Sequence, residues 1–86
     1  MPASYSDIDR SIIDLTRARG GDKTVCPSEV ARAVFGGDWR QGMEGVRQRA
    51  RHLAKAGHID ITQGGHAVDP EAEWRGPIRL RWREDA

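Results

Sequence analysis

The sequence is short of several features that mark particular classes of protein. Its 86 residues include one cysteine, Cys26, so no internal disulfide can form, which fits a reducing compartment. No run approaches the roughly 18 apolar residues that a membrane span requires. The N-terminal stretch MPASYSDIDR carries acids where a signal peptide carries cations and an apolar segment. We therefore expect a soluble, cytoplasmic protein with no membrane partner.

Residues that support catalysis or bind metals are also scarce. The three histidines, His52, His58 and His66, have none of the short spacings of zinc motifs, and one cysteine is too few for a cysteine-rich site. Cys26 with a histidine is formally a nucleophile and a base, but its place beside Pro27 at a predicted helix start explains a small residue there. We expect no enzymatic activity, cofactor, metal or small-molecule substrate, and the reactivity of Cys26 stays open.

The N-terminal half predicts two helices with a short strand between them. Ser6 is the predicted cap of the first helix, with Asp9 three residues on as its capping-box partner, and the glycines at 20–21 end it. KTV, residues 23–25, leaves room for a minimal bridge strand. The second helix is predicted to start at Pro27, where a missing N–H costs nothing. Its predicted inward face is Val30, Ala33 and Val34.

The third helix is predicted over residues 39–56. Asp38 and Gln41 have the spacing of a capping box, while Gly42 and Gly45 each cost about 1 kcal/mol relative to alanine and favour a break near Gly42. At 100° per residue the inward arc is Met43, Val46, Ala50, Leu53 and Ala54. The opposite arc is Glu44, Gln48, Arg51, His52 and Lys55, flanked by Arg47 and Arg49. The outer face of this helix is therefore basic.

The C-terminal third predicts a small antiparallel sheet. HIDITQ, residues 58–63, alternates in the manner of a strand, and the glycines at 64–65 are a hairpin signal that sets Ile61 opposite Val68. DPEAEWRG, residues 69–76, is predicted as a short excursion with a single helical turn. PIRLRWR, residues 77–83, predicts a half-buried strand with its arginines on one face and Ile78, Leu80 and Trp82 on the other.

This order of elements is that of a winged helix, in which the third helix is the recognition helix and the hairpin is the wing. We therefore predict an α+β winged helix, a three-helix core with a small antiparallel β-hairpin wing. The length suits a single domain over residues 1–86, with its core over about residues 6–83.

Several stretches also resemble a known family. They are CPSEVAR, DWR, the VR that opens the third helix, AGHIDITQGG with VDP, and GPIRLR, and the resemblance covers roughly residues 11–82. The family is a small bacterial one known as domain of unknown function 3253, with a winged-helix-like fold. The resemblance implies that fold and supplies no activity and no site residue.

Charge is segregated along the chain, although the net charge is only +1. Residues 40–55 carry five cations and one acid, residues 75–83 carry four arginines and no acid, and the remainder carries five cations and 12 acids. This segregation favours binding of double-stranded DNA, with the third helix in the major groove and Arg47, Arg79 and Arg81 on phosphates. The residues predicted to enter the groove are Gln48, Arg51, His52 and Lys55.

Other interpretations stay open. The basic face of the third helix is also compatible with plain solvated surface, and the strand arginines with protection of a sheet edge. A winged helix can instead contact a protein partner or a second copy of itself. A bare tryptophan patch around Trp74, away from the third helix, would favour protein contact; exposed positive charge on that helix would favour nucleic acid.

Overall fold

The computed structural model describes residues 4–84, so the predicted domain limits at 1 and 86 lie outside the described residues. The elements are α1 (Tyr5–Arg19), β1 (Thr24–Val25), α2 (Pro27–Phe35), a 3-10 turn (Gly36–Asp38), α3 (Trp39–Lys55), β2 (Ile59–Gln63), β3 (His66–Ala67) and β4 (Arg79–Trp82). The predicted α+β class is confirmed, with one four-stranded antiparallel sheet beside the helices. Among the described residues, no helix combines the length and the apolar character needed to cross a bilayer.

α1 begins earlier than predicted. Ser4 is its N-cap: the Ser4 hydroxyl accepts from the Asp7 N–H at 3.2 Å, and the Asp7 carboxylate accepts from the Ser4 N–H at 3.1 Å. The predicted cap at Ser6 was wrong, because the same spacing of serine and aspartate occurs two residues earlier. Asp9 instead accepts two 2.8 Å hydrogen bonds from the Arg49 guanidinium, which joins α1 to α3.

α2 starts at Pro27 as predicted, but one residue of its predicted inward face was wrong. Val30 is buried and Val34 is half-buried, whereas Ala33 is exposed and Ala31 is fully buried. The physical reason is that α2 packs against both α1 and α3. A helix with two neighbours buries a wider arc than a single stripe, so adjacent residues such as Val30 and Ala31 both point inward.

α3 is continuous, with no break at Gly42. Gly42 is buried, and a Cβ added to it would overlap the Phe35 ring, so the glycine lets the end of α2 lie close against α3. Asp38 is the N-cap of α3, but the predicted capping box with Gln41 was wrong, because the Asp38 side chain makes no capping hydrogen bond. Asp38 also closes the 3-10 turn, and its φ of −93° and ψ of 19° differ from the extended backbone of a residue that caps through its side chain.

The strands are ordered β1-β4-β2-β3. The predicted hairpin is confirmed: Gly64 and Gly65 have φ of 57° and 83°, and the Val68 N–H donates to the Ile61 carbonyl at 2.8 Å. β4 pairs with β1 on one side and β2 on the other. The interpretation of its arginines as protection for a sheet edge was therefore wrong, because β4 is not an edge strand.

The core lies between the helices and one face of the sheet. Its fully buried side chains include Ile12, Val30, Val46, Ala50, Ile61 and Leu80. Because neighbouring residues of a strand point to opposite faces, the burial of Leu80 places Arg79 and Arg81 on the face turned away from the helices.

The excursion over residues 69–76 contains no helical turn, contrary to the prediction. One turn closes where the Ala72 N–H donates to the Asp69 carbonyl at 3.1 Å. It does not continue as a helix because the carbonyls of Pro70 and Ala72 accept from the Arg51 side chain of α3 instead. The Arg51 side chain thus takes the place of the backbone hydrogen bonds that a helix would form here.

Gly42→Ala should destabilise the protein by about 1–3 kcal/mol, because the added methyl group overlaps the Phe35 ring. This cost opposes the helix propensity of alanine, which favours the substitution by about 1 kcal/mol. Gly45→Ala is the matched control, since its added Cβ would meet Ile8 at an ordinary 3.5 Å. Urea unfolding measures both, and equal stability of the two variants would contradict the close packing at Gly42.

Glu29→Gln should lower stability at pH 7 by about 0.5–1 kcal/mol, a range reduced for the partial exposure of the pair. The hydrogen bond from Arg19, then that from the Cys26 N–H, lowers the pKa of Glu29 below its ordinary 4.5. Its contribution is therefore complete above about pH 4.5 and declines as pH falls through the lowered folded value. Urea midpoints should differ between wild type and variant at pH 7, and the difference should shrink as pH falls below 4.5. A constant difference would contradict the role of the carboxylate.

Candidate nucleic-acid interface

The residues predicted on the outer face of α3 do lie outside the core, but their surroundings differ. Gln48, His52 and Lys55 are exposed, whereas Arg47 and Arg51 are half-buried. The inward residues Val46, Ala50 and Leu53 are buried, which confirms the predicted amphipathic arrangement. Arg47 and Arg51 are less exposed than the other outer residues because a segment of the chain crosses their side of the helix.

This segment, residues 69–75, is called the docked loop below. Arg51 holds it, since the Arg51 Nη1 donates to the carbonyls of Pro70 at 2.7 Å and Ala72 at 3.0 Å. The Arg51 guanidinium also lies 4.1 Å from the centroid of the Trp74 ring. One of the two outer nitrogens of the guanidinium therefore already serves the docked loop, and a bidentate contact to a guanine would compete with it.

Two further contacts join the docked loop to α3. Lys55 forms a 2.7 Å ion pair with Glu71, and the Arg47 guanidinium lies 5.7 Å from the Trp74 centroid. Trp74 is itself oriented by a 2.9 Å hydrogen bond from its Nε1 to the Asp69 carbonyl. The side of α3 formed by Arg47, Arg51 and Lys55 is therefore covered in part by the docked loop.

Beyond the docked loop, arginines continue along the same flank of α3. Arg40 lies seven residues before Arg47, which brings it to nearly the same angle on the helix. Arg32 of α2 joins it, because the Trp39 centroid lies 4.5 Å from the Arg32 guanidinium and 4.4 Å from that of Arg40. We call Arg32, Arg40 and Arg47 the arginine row.

The arginine row has few internal partners. Within residues 4–84, none of its three guanidinium groups forms an ion pair or donates a hydrogen bond. Each guanidinium instead makes a cation–π contact with a tryptophan ring. A ring contact uses the face of the guanidinium and leaves its in-plane N–H groups able to donate. These N–H groups suit the oxygen atoms of a phosphate.

Sequence reasoning included Arg47 but missed Arg32 and Arg40 as site residues. Arg40 belonged to the basic stretch at 40–55, and its seven-residue spacing from Arg47 was a usable signal. Arg32 belongs to another helix and reaches the row only through Trp39, so no local spacing could have found it.

Gln48 and His52 lie on the exposed side of α3. The Gln48 amide donates to the Glu44 carboxylate at 2.8 Å, one helical turn away. Glu44 is the single acid of α3, so it reduces the positive charge of this side. The most basic part of the α3 surface is thus its flank rather than its outermost face.

Arg79 and Arg81 do not join the α3 surface. The Arg79 Nε donates to the Thr24 hydroxyl at 2.6 Å, and Arg81 forms a 3.2 Å ion pair with Asp60. Both lie on the sheet face opposite the helices, whereas the prediction placed them beside the third helix. Their contacts bind neighbouring strands of the sheet to one another.

Cys26, His58 and His66 lie outside this surface. Cys26 is half-buried, and its sulfur accepts a 3.1 Å hydrogen bond from the Ser28 hydroxyl. His58 and His66 are exposed. In the part of the chain from 4 to 84, no three histidine, cysteine, aspartate or glutamate side chains gather in a way that could hold a metal ion.

A groove between α1, the end of α2 and the start of α3 is the other notable surface. Leu15, Val34 and Phe35 contribute apolar lining, and Asp14 and Asp38 contribute carboxylates. Trp74, which the protein-contact interpretation required to be bare, is half-buried beneath the arginines of α3. The tryptophan therefore belongs to the basic flank and not to a separate apolar patch.

Comparison with known proteins agrees with the resemblance noted in the sequence. No curated protein matches the chain. The model of a family described as "Protein of unknown function (DUF3253)" matches residues 5–83. That match covers nearly the whole chain, and the protein therefore belongs to the DUF3253 family.

Proposed function

We propose that this protein is a winged-helix domain that binds double-stranded DNA without catalysis, through the flank of α3 that carries the arginine row. The element order supports the winged-helix assignment: three helices, a minimal strand after the first, and an antiparallel hairpin after the third. The observation that carries the DNA proposal is the arginine row, three guanidinium groups on one flank with no acid paired to them among residues 4–84.

The chemistry of the row suits a phosphate backbone. Each guanidinium is planar, permanently charged and held against an indole ring, so fewer rotamers are lost when it binds an anion. Three phosphate contacts would give a slope of log K against log salt of about −3. Arg51, Arg79 and Arg81 are not counted among these contacts, because their guanidinium groups are engaged within the protein.

Recognition of particular DNA bases would come from the exposed residues beside the arginine row. Gln48 can form two hydrogen bonds to an adenine edge if its amide leaves Glu44, and His52 lies one turn further along α3. Both remain predicted contacts. Most of the affinity would come from phosphates, which makes binding weak in sequence preference and strong in salt dependence.

The alternative is a winged helix that contacts another protein. It would use the groove between α1 and α2, whose apolar lining is accompanied by carboxylates. The position of Trp74 beneath Arg47 and Arg51 favours DNA over this alternative, because the apolar ring supports cations on the surface of α3. If the protein does not bind DNA, the groove becomes the candidate contact surface for a protein partner.

The double variant Arg40→Gln/Arg47→Gln should bind a labelled random duplex at least tenfold more weakly than wild type at about 50 mM salt. Its salt slope should be shallower by about two, because two phosphate contacts are lost. Fluorescence anisotropy between about 20 and 200 mM salt measures both quantities, and circular dichroism checks that the variant is folded.

Arg10→Gln/Lys23→Gln is the matched control for this experiment. It removes the same charge from two exposed positions outside α2 and α3, so it should keep the wild-type slope. If both double variants lose affinity for the duplex equally, the loss comes from the lower overall charge of the protein, and the arginine row is not the contact surface. If wild type does not bind at about 20 mM salt, the proposed function is wrong.

A further inference from the structure

The docked loop places acidic and electron-rich groups on cations of α3. Its seven residues include Asp69, Glu71 and Glu73. The Glu71 carboxylate pairs with Lys55, and two backbone carbonyl oxygens accept from Arg51. Carboxylate and carbonyl oxygens thus lie where the oxygen atoms of a bound phosphate backbone would lie.

From this arrangement we propose that the docked loop is an intramolecular competitor of DNA: its residues 69–73 occupy Arg51 and Lys55 in the free protein and are displaced when a duplex binds, while Trp74 stays packed on the core. The inference rests on the proposed function, since it assigns a regulation to the same surface. In the closed form the arginine row is available to phosphates, whereas Arg51 and Lys55 are occupied by the docked loop. In the open form Arg47, Arg51 and Lys55 form a continuous line of cations at four-residue spacing along α3.

The contacts of the docked loop are of a kind that an anionic ligand can replace. The side chains of Lys55 and Glu71 are 51% and 64% exposed, so water and salt already screen their attraction. A duplex offers Lys55 a phosphate in place of a carboxylate, and offers Arg51 a charged acceptor in place of two neutral carbonyls. Exchange of partners therefore leaves neither cation unpaired.

The ends of the docked loop allow it to move without disturbing the sheet. β3 ends at Ala67 and β4 begins at Arg79, so the strand pairing lies outside residues 69–75. On the C-terminal side Gly76 has φ of 82°, and the Gln63 amide donates to the carbonyls of Arg75 and Pro77. The chain is thus fixed from Trp74 onward, since the Trp74 ring packs against the core, and residues 69–73 can leave Arg51 and Lys55 without moving the strands.

The test compares two substitutions that remove the same charge from the docked loop. Glu71→Gln removes the partner of Lys55; Glu73→Gln removes an exposed carboxylate that has no charged partner among residues 4–84. At about 50 mM salt, Glu71→Gln should bind a random duplex about two- to fivefold more tightly than Glu73→Gln. Its salt slope should be steeper by up to about one, because in wild type the freed Glu71 carboxylate takes up cations when Lys55 moves onto a phosphate, and in the variant no carboxylate is freed.

A second readout follows the docked loop directly. Amide hydrogen exchange at Glu71 and Ala72, whose N–H groups donate to Asp69 in the free protein, should speed up when the protein is saturated with duplex, while the buried side of α3 stays protected. This measurement needs no substitution, so it tests displacement even if a variant is poorly folded.

The outcomes separate the inference from the proposed function. Equal affinity of the two variants, or unchanged exchange at Glu71 and Ala72 in the DNA complex, overturns the competition and leaves DNA binding standing. If neither wild type nor either variant binds the duplex, the proposed function fails and the competition fails with it. Tighter binding of Glu71→Gln, with faster exchange in the loop, supports both.

Discussion

The Arg51 guanidinium controls how much of α3 is open to other molecules. It contacts two backbone carbonyls and an indole ring at once, and these contacts hold the docked loop across one side of the helix. The segment between β3 and β4 depends on such long-range contacts for its position, because its own backbone forms a single turn. The position of the accessible positive charge follows from this one side chain.

Pairing of charges explains why a net charge of +1 is compatible with a basic surface. Arg49 is paired with Asp9, Arg19 with Glu29, Arg81 with Asp60 and Lys55 with Glu71. These pairs join different parts of the chain and use four of the 13 acids. The arginine row has ring contacts instead, with no ion pair among residues 4–84.

Local patterns predicted most of the fold. The apolar arc of α3, the alternation of β4 and the two glycines of the hairpin each depend on residues close together in sequence, and each was confirmed. The errors came from contacts between distant residues: Gly42 is a glycine because of Phe35, and residues 69–76 are not helical because of Arg51. The site was harder to predict for the same reason, since Arg32 and the docked loop reach α3 from elsewhere in the chain.

Two tryptophans connect the core to the basic flank. Trp39 and Trp74 each pack against the core and also support arginines of the α2 and α3 surface. Core packing thereby fixes the rings, and the rings in turn limit where the guanidinium groups can lie. A lysine at position 40 or 47 would keep the charge but lose the planar stacking. The arrangement of these cations therefore depends on arginine in particular, and the fold positions them before any ligand arrives.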